Sequence, residues 1–383
     1  MLSQIRTKVE AGQRVTKEEG LYLLKEAHLL DLAPVAQLVR SRHNPEPVVT
    51  FVVDTNLNYT NVCDAYCTFC AFYRTERDPD RYTHTVEQVM EQVARAEGQG
   101  VTTVLLQGGL NPSLPLEYYE DLVRETRRRH PSITPHFFSA PEVQKMAQVS
   151  GLSLREVLQR LKAAGQYSIP GGGSEVLSDR VKHRISRLFP KGRVADWVDV
   201  HREAHRLGFK TTATMMYGHL EEPEDIIAHL DTLRSLQDEH HGFTAFIHWS
   251  YKRENTALAT RVKEEAGPNP YLRLCAVARI YLDNFPHIQA SWFSEGAKTG
   301  QVALHFGADD FGGTLFDETV MQEAGWYNRT TVEEVVSLIQ EAGFVPAQRN
   351  TLYEILRYYP APATTGPGGR LGTWAVGAGA GAA

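Results

Sequence analysis

From residue 50 onward the chain alternates two hydrophobic patterns. Short runs rich in β-branched and aromatic residues read as strands: "TFVVDTNLN", "TTVLLQGG", "TPHFFSA", "QYSIPGG", "KTTATMMYG", "FTAFIHWSY", "HIQASWF" and "VALHFGADD", eight in all. Most are separated by longer stretches with apolar residues three and four apart, the spacing of helices with one buried face: "TVEQVMEQVARAEGQG", "PLEYYEDLVRETRRRH", "SLREVLQRLKAAG", "VADWVDVHREAHRLG", "PEDIIAHLDTLRSLQ" and "PYLRLCAVARIYLDNF". Several begin on a capping residue and end near glycine. Strand–helix alternation marks a parallel sheet joined by crossover helices, and eight such units predict a closed TIM-type (β/α)8 barrel of the α/β class. An open doubly wound sheet is the alternative. That fold usually carries a Gly-rich fingerprint after its first strand, whereas here cysteines follow it.

The barrel is expected over residues 49–358. Residues 1–48 read as a helical extension, with Thr16 and Glu19 forming a capping box ahead of "GLYLLKEA". After the pattern "VEEVVSLIQEAGFVPAQRNTLYEIL", residues 359–383, with their Gly-, Ala- and Pro-rich end, offer little to bury and are expected to be a disordered tail. The unusual residues cluster where strands end, which in a barrel is the catalytic face: the cysteines, "QGGLNP", "FSAPE", "PGGGSE", "YGHLEE", "WSYKRENT" and "GADDFGGT".

Composition narrows the classes of function. The chain has 383 residues, 42% hydrophobic and 22% charged, with 40 basic against 46 acidic groups and a formal charge of -6. No basic block suggests nucleic acid. The N-terminus lacks the apolar run of a signal peptide, and no apolar stretch nears the roughly 18 residues of a membrane span. A cytoplasmic enzyme acting on a small molecule is expected, without membrane or nucleic-acid partners. Four cysteines in such a length form no disulfide framework.

Three of those cysteines lie in "NVCDAYCTFCAFYR", spaced Cys63-x3-Cys67-x2-Cys70. Thiolates hold zinc or iron–sulfur clusters, and a structural zinc site takes four protein ligands. Cys275, on the apolar face of a predicted helix, reads as a small core residue. Three thiolates suit a [4Fe-4S] cluster, leaving one iron open to a substrate or cofactor.

With Phe69 just before the last cysteine, this motif resembles the signature of the radical S-adenosylmethionine (SAM) enzymes, which are barrels carrying this loop after strand one. The resemblance implies a [4Fe-4S] cluster on Cys63, Cys67 and Cys70, with SAM on the open iron as source of a 5'-deoxyadenosyl radical. It further implies that Phe69 belongs to the cofactor site, and that Gly108 and Gly109 receive SAM's amino group on their backbone. Gln107, Ser139 and Glu175, at further strand ends, are candidates for the ribose or the surroundings of the methionine carboxylate.

Over roughly residues 15–358 the chain resembles one subgroup, which contains the futalosine-pathway enzymes of menaquinone synthesis and the radical components that build the F420 deazaflavin. The carrying segments include "LLQGGLNPSLPLEYYEDL", "IPGGGSEVL", "RLGFKTTATMMYGH", "GFTAFIHWSYKRENT" and "ALHFGADDFGGT". The resemblance implies a cyclase acting on dehypoxanthine futalosine, with the radical abstracting the C4' hydrogen and the ring closing onto the benzoate; the alternatives are the sibling that adds the adenosyl radical to an enolpyruvyl double bond, a deazaflavin synthase component, or, outside enzymes, a zinc- or cluster-holding binding protein. A low-potential donor such as flavodoxin or ferredoxin would supply the electron. His248, Tyr251, Arg253 (or Lys252) and Asn255 are candidate substrate contacts, and His219 or His305 a candidate acceptor for the proton lost on rearomatisation. The sequence departs from the subgroup pattern at Tyr167, where an acidic residue is common before "SIPGGG", and at "FSAPE", which replaces a Pro-Pro version.

Overall fold

The computed structural model describes residues 1–188 and 191–360. Its strands are β1 (Val48–Val52), β2 (Asp54–Leu57), β3 (Thr103–Leu106), β4 (Thr134–Phe137), β5 (Ser168–Ile169), β6 (Lys210–Tyr217), β7 (Phe243–Ser250), β8 (His287–Gln289), β9 (Asp310–Gly313), β10 (Val345–Arg349) and β11 (Ile355–Tyr358). They form one sheet in the order β11-β10-β1-β9-β8-β7-β6-β5-β4-β3-β2. β1 and β2 are two halves of one strand interrupted at Val53. The first half pairs in parallel with β9 and the second with β3, so the sheet curls through them into an eight-stranded parallel barrel. Residues after β9 continue the seam, with Thr314 N donating to Val52 O at 3.1 Å, Phe316 N to Asp54 O at 3.2 Å and Asn56 N to Asp317 O at 2.9 Å.

Side chains alternate in and out along each strand. The inward set includes Val52, Asp54, Asn56, Thr103, Leu105, Thr212, Thr214, Ile247 and Trp249. The outward set, among them Phe51, Val104, Phe137, Ala213 and Phe246, is buried beneath the helices. Those helices begin with caps legible in the sequence. Thr85 and Gln88 form a capping box on Val86–Gly98, and Ser153 and Glu156 form another on Leu154–Ala164, which ends on left-handed Gly165.

The first residues form three helices, α1 (Leu2–Glu10), α2 (Lys17–Lys25) and α3 (Leu29–His43). The Thr16–Glu19 capping box is present. α3 packs along the helix Pro268–Tyr281, and Arg273 ties the end of α2 through the Leu23 and Ala27 carbonyls at 3.1 and 2.6 Å.

One expectation about elements is corrected. The eighth run, "VALHFGADD", is not a strand: Ala297–Ala303 is helical, Leu304–Phe306 is a 3-10 turn, and β9 begins only at Asp310. The run "VEEVVSLIQEAGFVPAQRNTLYEIL", to which no element was assigned above, is a helix over Val332–Glu341 and then turns into the hairpin β10–β11. β10 adds in parallel to β1 below the point where β3 begins, so the hairpin closes the lower end of the barrel. There Arg349 is bonded twice to Asp310, at 2.5 and 2.9 Å, and lies 3.8 Å from the centre of the Tyr353 ring. Tyr353 in turn stacks on His287 at 3.8 Å. The expected tail lies, from Ala361 on, outside the described residues.

Candidate active site

The barrel encloses a cavity of about 250 Å³. Its walls are largely apolar, with Leu105, Ile247, Trp249 and Phe293, and are interrupted by Asn56, Gln107, Thr214 and Gln289. Gln107 stands at the upper rim, and the next two residues run directly into the cysteine loop. A Cβ on Gly109 would lie 2.1 Å from the Val62 carbonyl oxygen and 2.9 Å from Cys63 Cβ, and one on Gly108 would lie 2.7 Å from the Tyr59 ring. The glycines are therefore required for close approach of β3's end to the loop.

The loop is held by its own backbone. Cys63 N donates to Arg74 O at 2.9 Å, Arg74 N to Asn61 O at 2.7 Å, and Thr68 N to Ile185 O at 2.9 Å. The Arg74 guanidinium gathers the carbonyls of Ala71, Phe72 and Tyr73 within 3.2 Å. Tyr66, between the first two cysteines, adopts a left-handed φ of 50°.

The three thiols fit an iron–sulfur cluster by their chemistry. None of the three is in a disulfide, and Cys67 is buried. Burial pushes the Cys67 thiol up to about 12 and raises Cys70 too, so a thiolate here needs positive charge beside it. Lys191 supplies part of it, and the amides of Phe72 and Tyr73 are directed at the Cys70 sulfur. Among the described residues no three His, Cys, Asp or Glu side chains are placed to hold a single metal ion. A [4Fe-4S] cube does not require that, because each thiolate binds a different iron.

The structure sorts the expected site residues. Phe69 lies beside the thiols with Lys191 Nζ 5.5 Å from its ring centre. Glu175 is there as well, at φ 43° and bonded to Lys191 at 2.7 Å, with Lys182 Nζ at 3.7 Å. Against the opposing effect of burial, the two lysines hold its carboxyl below the usual range. Gln107 lines the cavity. Gly108 N is already taken by Glu142 at 3.0 Å and Gly109 N by Thr60 O at 2.9 Å; the Gly108 carbonyl accepts no bond among the described residues.

The other placements differ from expectation. Ser139 is an N-cap: its amide and hydroxyl both bond Glu142 Oε2, at 2.6 and 2.5 Å, so its side chain is committed to the helix that follows. His248 faces outward, stacked on Tyr271 at 4.6 Å between the sheet and its helix, and burial lowers its pKa to about 4. Tyr251 is in the core and bonds Thr256. Arg253 holds Val262 O at 2.9 Å, and exposed Asn255 holds Glu323 O at 2.9 Å; both stitch loops together. Lys252 lies 3.9 Å from the centre of the Trp326 ring. His219 has both nitrogens engaged, Nε2 with Met216 O at 2.9 Å and Nδ1 with Leu220 N at 2.7 Å. His305 is exposed on the turn before β9, at the opposite end of the barrel from the cysteines. Neither histidine is placed to take a proton from a ligand in the cavity. Tyr167, which departs from the subgroup pattern, is 52% exposed below β5 and outside the site.

Sequence reasoning missed several residues. Glu142 is a buried carboxylate with four donors, from Tyr59 OH at 2.7 Å, Gly108 N at 3.0 Å, and the Ser139 amide and hydroxyl; it fixes the glycine turn. The S-x-x-E spacing of a capping box was its available signal. Lys191, Asp54, Trp249 and Arg349 had none, because only strand phase and long-range pairing bring them to the centre.

Comparison with known proteins agrees with this architecture. Residues 57–233 match the radical SAM superfamily, and residues 240–362 match the CofH/MqnC C-terminal region. The cyclic dehypoxanthine futalosine synthase of Halalkalibacterium halodurans is 39% identical, over 91% of this chain and 93% of its own. The aminodeoxyfutalosine synthase of Streptomyces coelicolor is 37% identical over 94% and 95%. The 5-amino-6-(D-ribitylamino)uracil–L-tyrosine 4-hydroxyphenyl transferase of Methanopyrus kandleri is 43% identical over 81% and 85%. The crystal structure of methylornithine synthase superposes with a TM-score of 0.69 at 18% identity, over 90% of this chain and 97% of that one, a likeness of fold. A motif loop of three thiols, a barrel that opens onto it, and relatives matched along nearly the whole length give one conclusion: the chain belongs to the radical SAM superfamily, in the branch that carries the CofH/MqnC C-terminal region.

Proposed function

We propose that the protein is a radical SAM cyclase that converts dehypoxanthine futalosine to cyclic dehypoxanthine futalosine in menaquinone biosynthesis. The observation that carries this is the continuity between the cavity and the thiol loop, through Gln107, Gly108 and Gly109, in a chain whose similarity to two cyclic dehypoxanthine futalosine synthases spans at least 91% of its length. When bound on Cys63, Cys67 and Cys70, a reduced cluster with SAM supplies a 5'-deoxyadenosyl radical able to take the C4' hydrogen. The substrate carbon radical then closes on the benzoate ring, and loss of one proton and one electron restores aromaticity.

The chain's own residues bind, orient and exclude water. Leu105, Ile247, Trp249 and Phe293 provide an apolar enclosure for the aryl group, which keeps water and stray hydrogen donors from a carbon radical. Asn56, Gln107, Thr214 and Gln289 offer polar contacts for the sugar and its substituents. Lys191, Lys182 and Glu175 form a charged cluster beside Cys67, and these are the residues that would hold SAM's charged methionine portion. A low-potential carrier of the flavodoxin or ferredoxin kind delivers the electron, and the reaction takes place in the cytoplasm. No described helix is long and apolar enough to cross a membrane.

The test is substrate choice. The anaerobically reconstituted protein, with SAM and dithionite, is offered dehypoxanthine futalosine, an enolpyruvyl benzoate, or tyrosine with the ribitylamino uracil. The cyclase reading expects consumption of the first alone. Preferential consumption of either other substrate assigns the activity of a sibling instead.

A further inference from the structure

Two carboxyl groups line the cavity, on Asp54 and Glu318, and a third, on Asp310, is buried behind Arg349; they differ in what their oxygens do. Both oxygens of Asp310 are occupied, Oδ2 by Thr50 at 2.6 Å and Arg349 at 2.5 Å, and Oδ1 by Arg349 and Gly312 N, each at 2.9 Å. Glu318 is equally committed, through Oε2 to Met321 N at 2.7 Å and through Oε1 to Val320 N at 3.1 Å and Asn56 Nδ2 at 3.3 Å. Asp54 differs. Its Oδ1 accepts the Leu315 amide at 2.9 Å, while Oδ2 has no hydrogen-bond partner among the described residues. The carboxyl has a built seat: a Cβ on Gly313 would lie 2.0 and 2.1 Å from its two oxygens, so only glycine there leaves it room.

We propose that Asp54 is the general base that takes the proton lost when the closed ring becomes aromatic again. This rests on the cyclase reading above. In the closed-ring radical the attacked ring carbon carries both the new C–C bond and its original hydrogen. That C–H bond breaks, its proton passes to Asp54 Oδ2, and its electron pair stays in the ring. The remaining unpaired electron leaves to a one-electron acceptor of the iron–sulfur or flavin class. With the hydrogen already given to 5'-deoxyadenosine, the product is two hydrogens lighter than the substrate.

The surroundings suit this role. Burial raises the Asp54 carboxyl to about 7, opposed by the Leu315 amide and Arg349 and reinforced by Asp310, so near neutral pH it can both take and release a proton. The other ionisable groups lining the cavity are His136, Glu318, Arg349 and Tyr353. His136, bonded through Nδ1 to Ser168 at 2.7 Å, is pushed down to about 3 by burial and by Arg349, which makes it a weak base. The Tyr353 hydroxyl is raised well above its ordinary range by burial.

The experiment compares wild type with Asp54→Asn, both as cluster-loaded protein, on dehypoxanthine futalosine deuterated at C4'. Asparagine keeps the shape and an acceptor for Leu315. The variant is expected to retain iron and to pass deuterium into 5'-deoxyadenosine, while cyclised product falls about 100-fold or more, within the range that general bases contribute. The limb near pH 7 in the wild-type profile disappears. In Asp54→Ala, formate is expected to restore part of the product. Wild-type product formation and pH profile in Asp54→Asn overturn the assignment, as does absence of formate rescue with deuterium transfer intact. A wild-type protein inert towards this substrate overturns the cyclase reading, and the proposal with it.

Discussion

Replacing Gly109 by alanine tests whether the close approach of β3's end to the cysteine loop is what shapes the cluster site. The added Cβ would meet the Val62 carbonyl oxygen at 2.1 Å, its carbon at 2.6 Å and Cys63 Cβ at 2.9 Å. Real Cβ atoms stay at least 3.0 Å from such neighbours, so loop and strand must separate by about 0.9 Å. Neither side yields easily, because Gly109 N is bonded to Thr60 O at 2.9 Å and Cys63 N to Arg74 O at 2.9 Å. Overpacking of this kind costs about 1–3 kcal/mol, a factor of roughly 5 to 150 against the native loop arrangement. Displacement by about 1 Å of a positioned reacting group costs on the order of 100-fold in rate. Iron content, visible absorbance and turnover of the reconstituted variant should all fall, whereas Gly98→Ala, which has no neighbour within 4 Å, should leave them unchanged. Full cluster loading and wild-type turnover in Gly109→Ala would refute the reasoning.

Further outcomes follow from the same geometry. Cys275 is fully buried on the helix Pro268–Tyr281, so Cys275→Ala should keep iron and turnover while Cys67→Ala loses the cluster; iron analysis of both decides, and the reverse pattern would contradict the three-ligand assignment. The Asp54 carboxyl, raised from 3.8 to about 7, favours the fold while protonated, and this stabilisation, complete below about pH 4, is lost as pH rises through 7. The shift corresponds to on the order of 4 kcal/mol, so Asp54→Asn should gain stability relative to wild type between pH 5 and pH 8 in denaturant titrations. An unchanging difference would mean that the carboxyl is not desolvated. A chain ending at Pro360 should fold and turn over normally, since the removed composition offers little to bury; loss of activity with the cluster intact would give the tail a role.

The legible features were those written in local pattern. Strand composition and helical spacing announced seven barrel strands, and Cys63, Cys67 and Cys70 announced the cluster loop. "VALHFGADD" failed because a short apolar run fits a helix or a strand equally, and here it packs as helix and turn before β9. The histidines were misjudged because position near a strand end does not tell which way a side chain points. His248 lies one residue out of phase with Ile247 and Trp249, and that single step moves it from the cavity to the helix layer. Ser139 was read as a ligand contact although its spacing to Glu142 already described a cap. Asp54 and Arg349 could not be found from sequence, since they are 295 residues apart and meet only when β10 adds to β1.

The central claim is that this site removes the C4' hydrogen of dehypoxanthine futalosine and closes the ring. Turnover with substrate deuterated at C4', followed by mass spectrometry of both products, tests it most directly. The account predicts one deuterium in free 5'-deoxyadenosine and a cyclised product that has lost it along with one ring proton. Unlabelled 5'-deoxyadenosine, or an adduct that retains the adenosyl group, would contradict it.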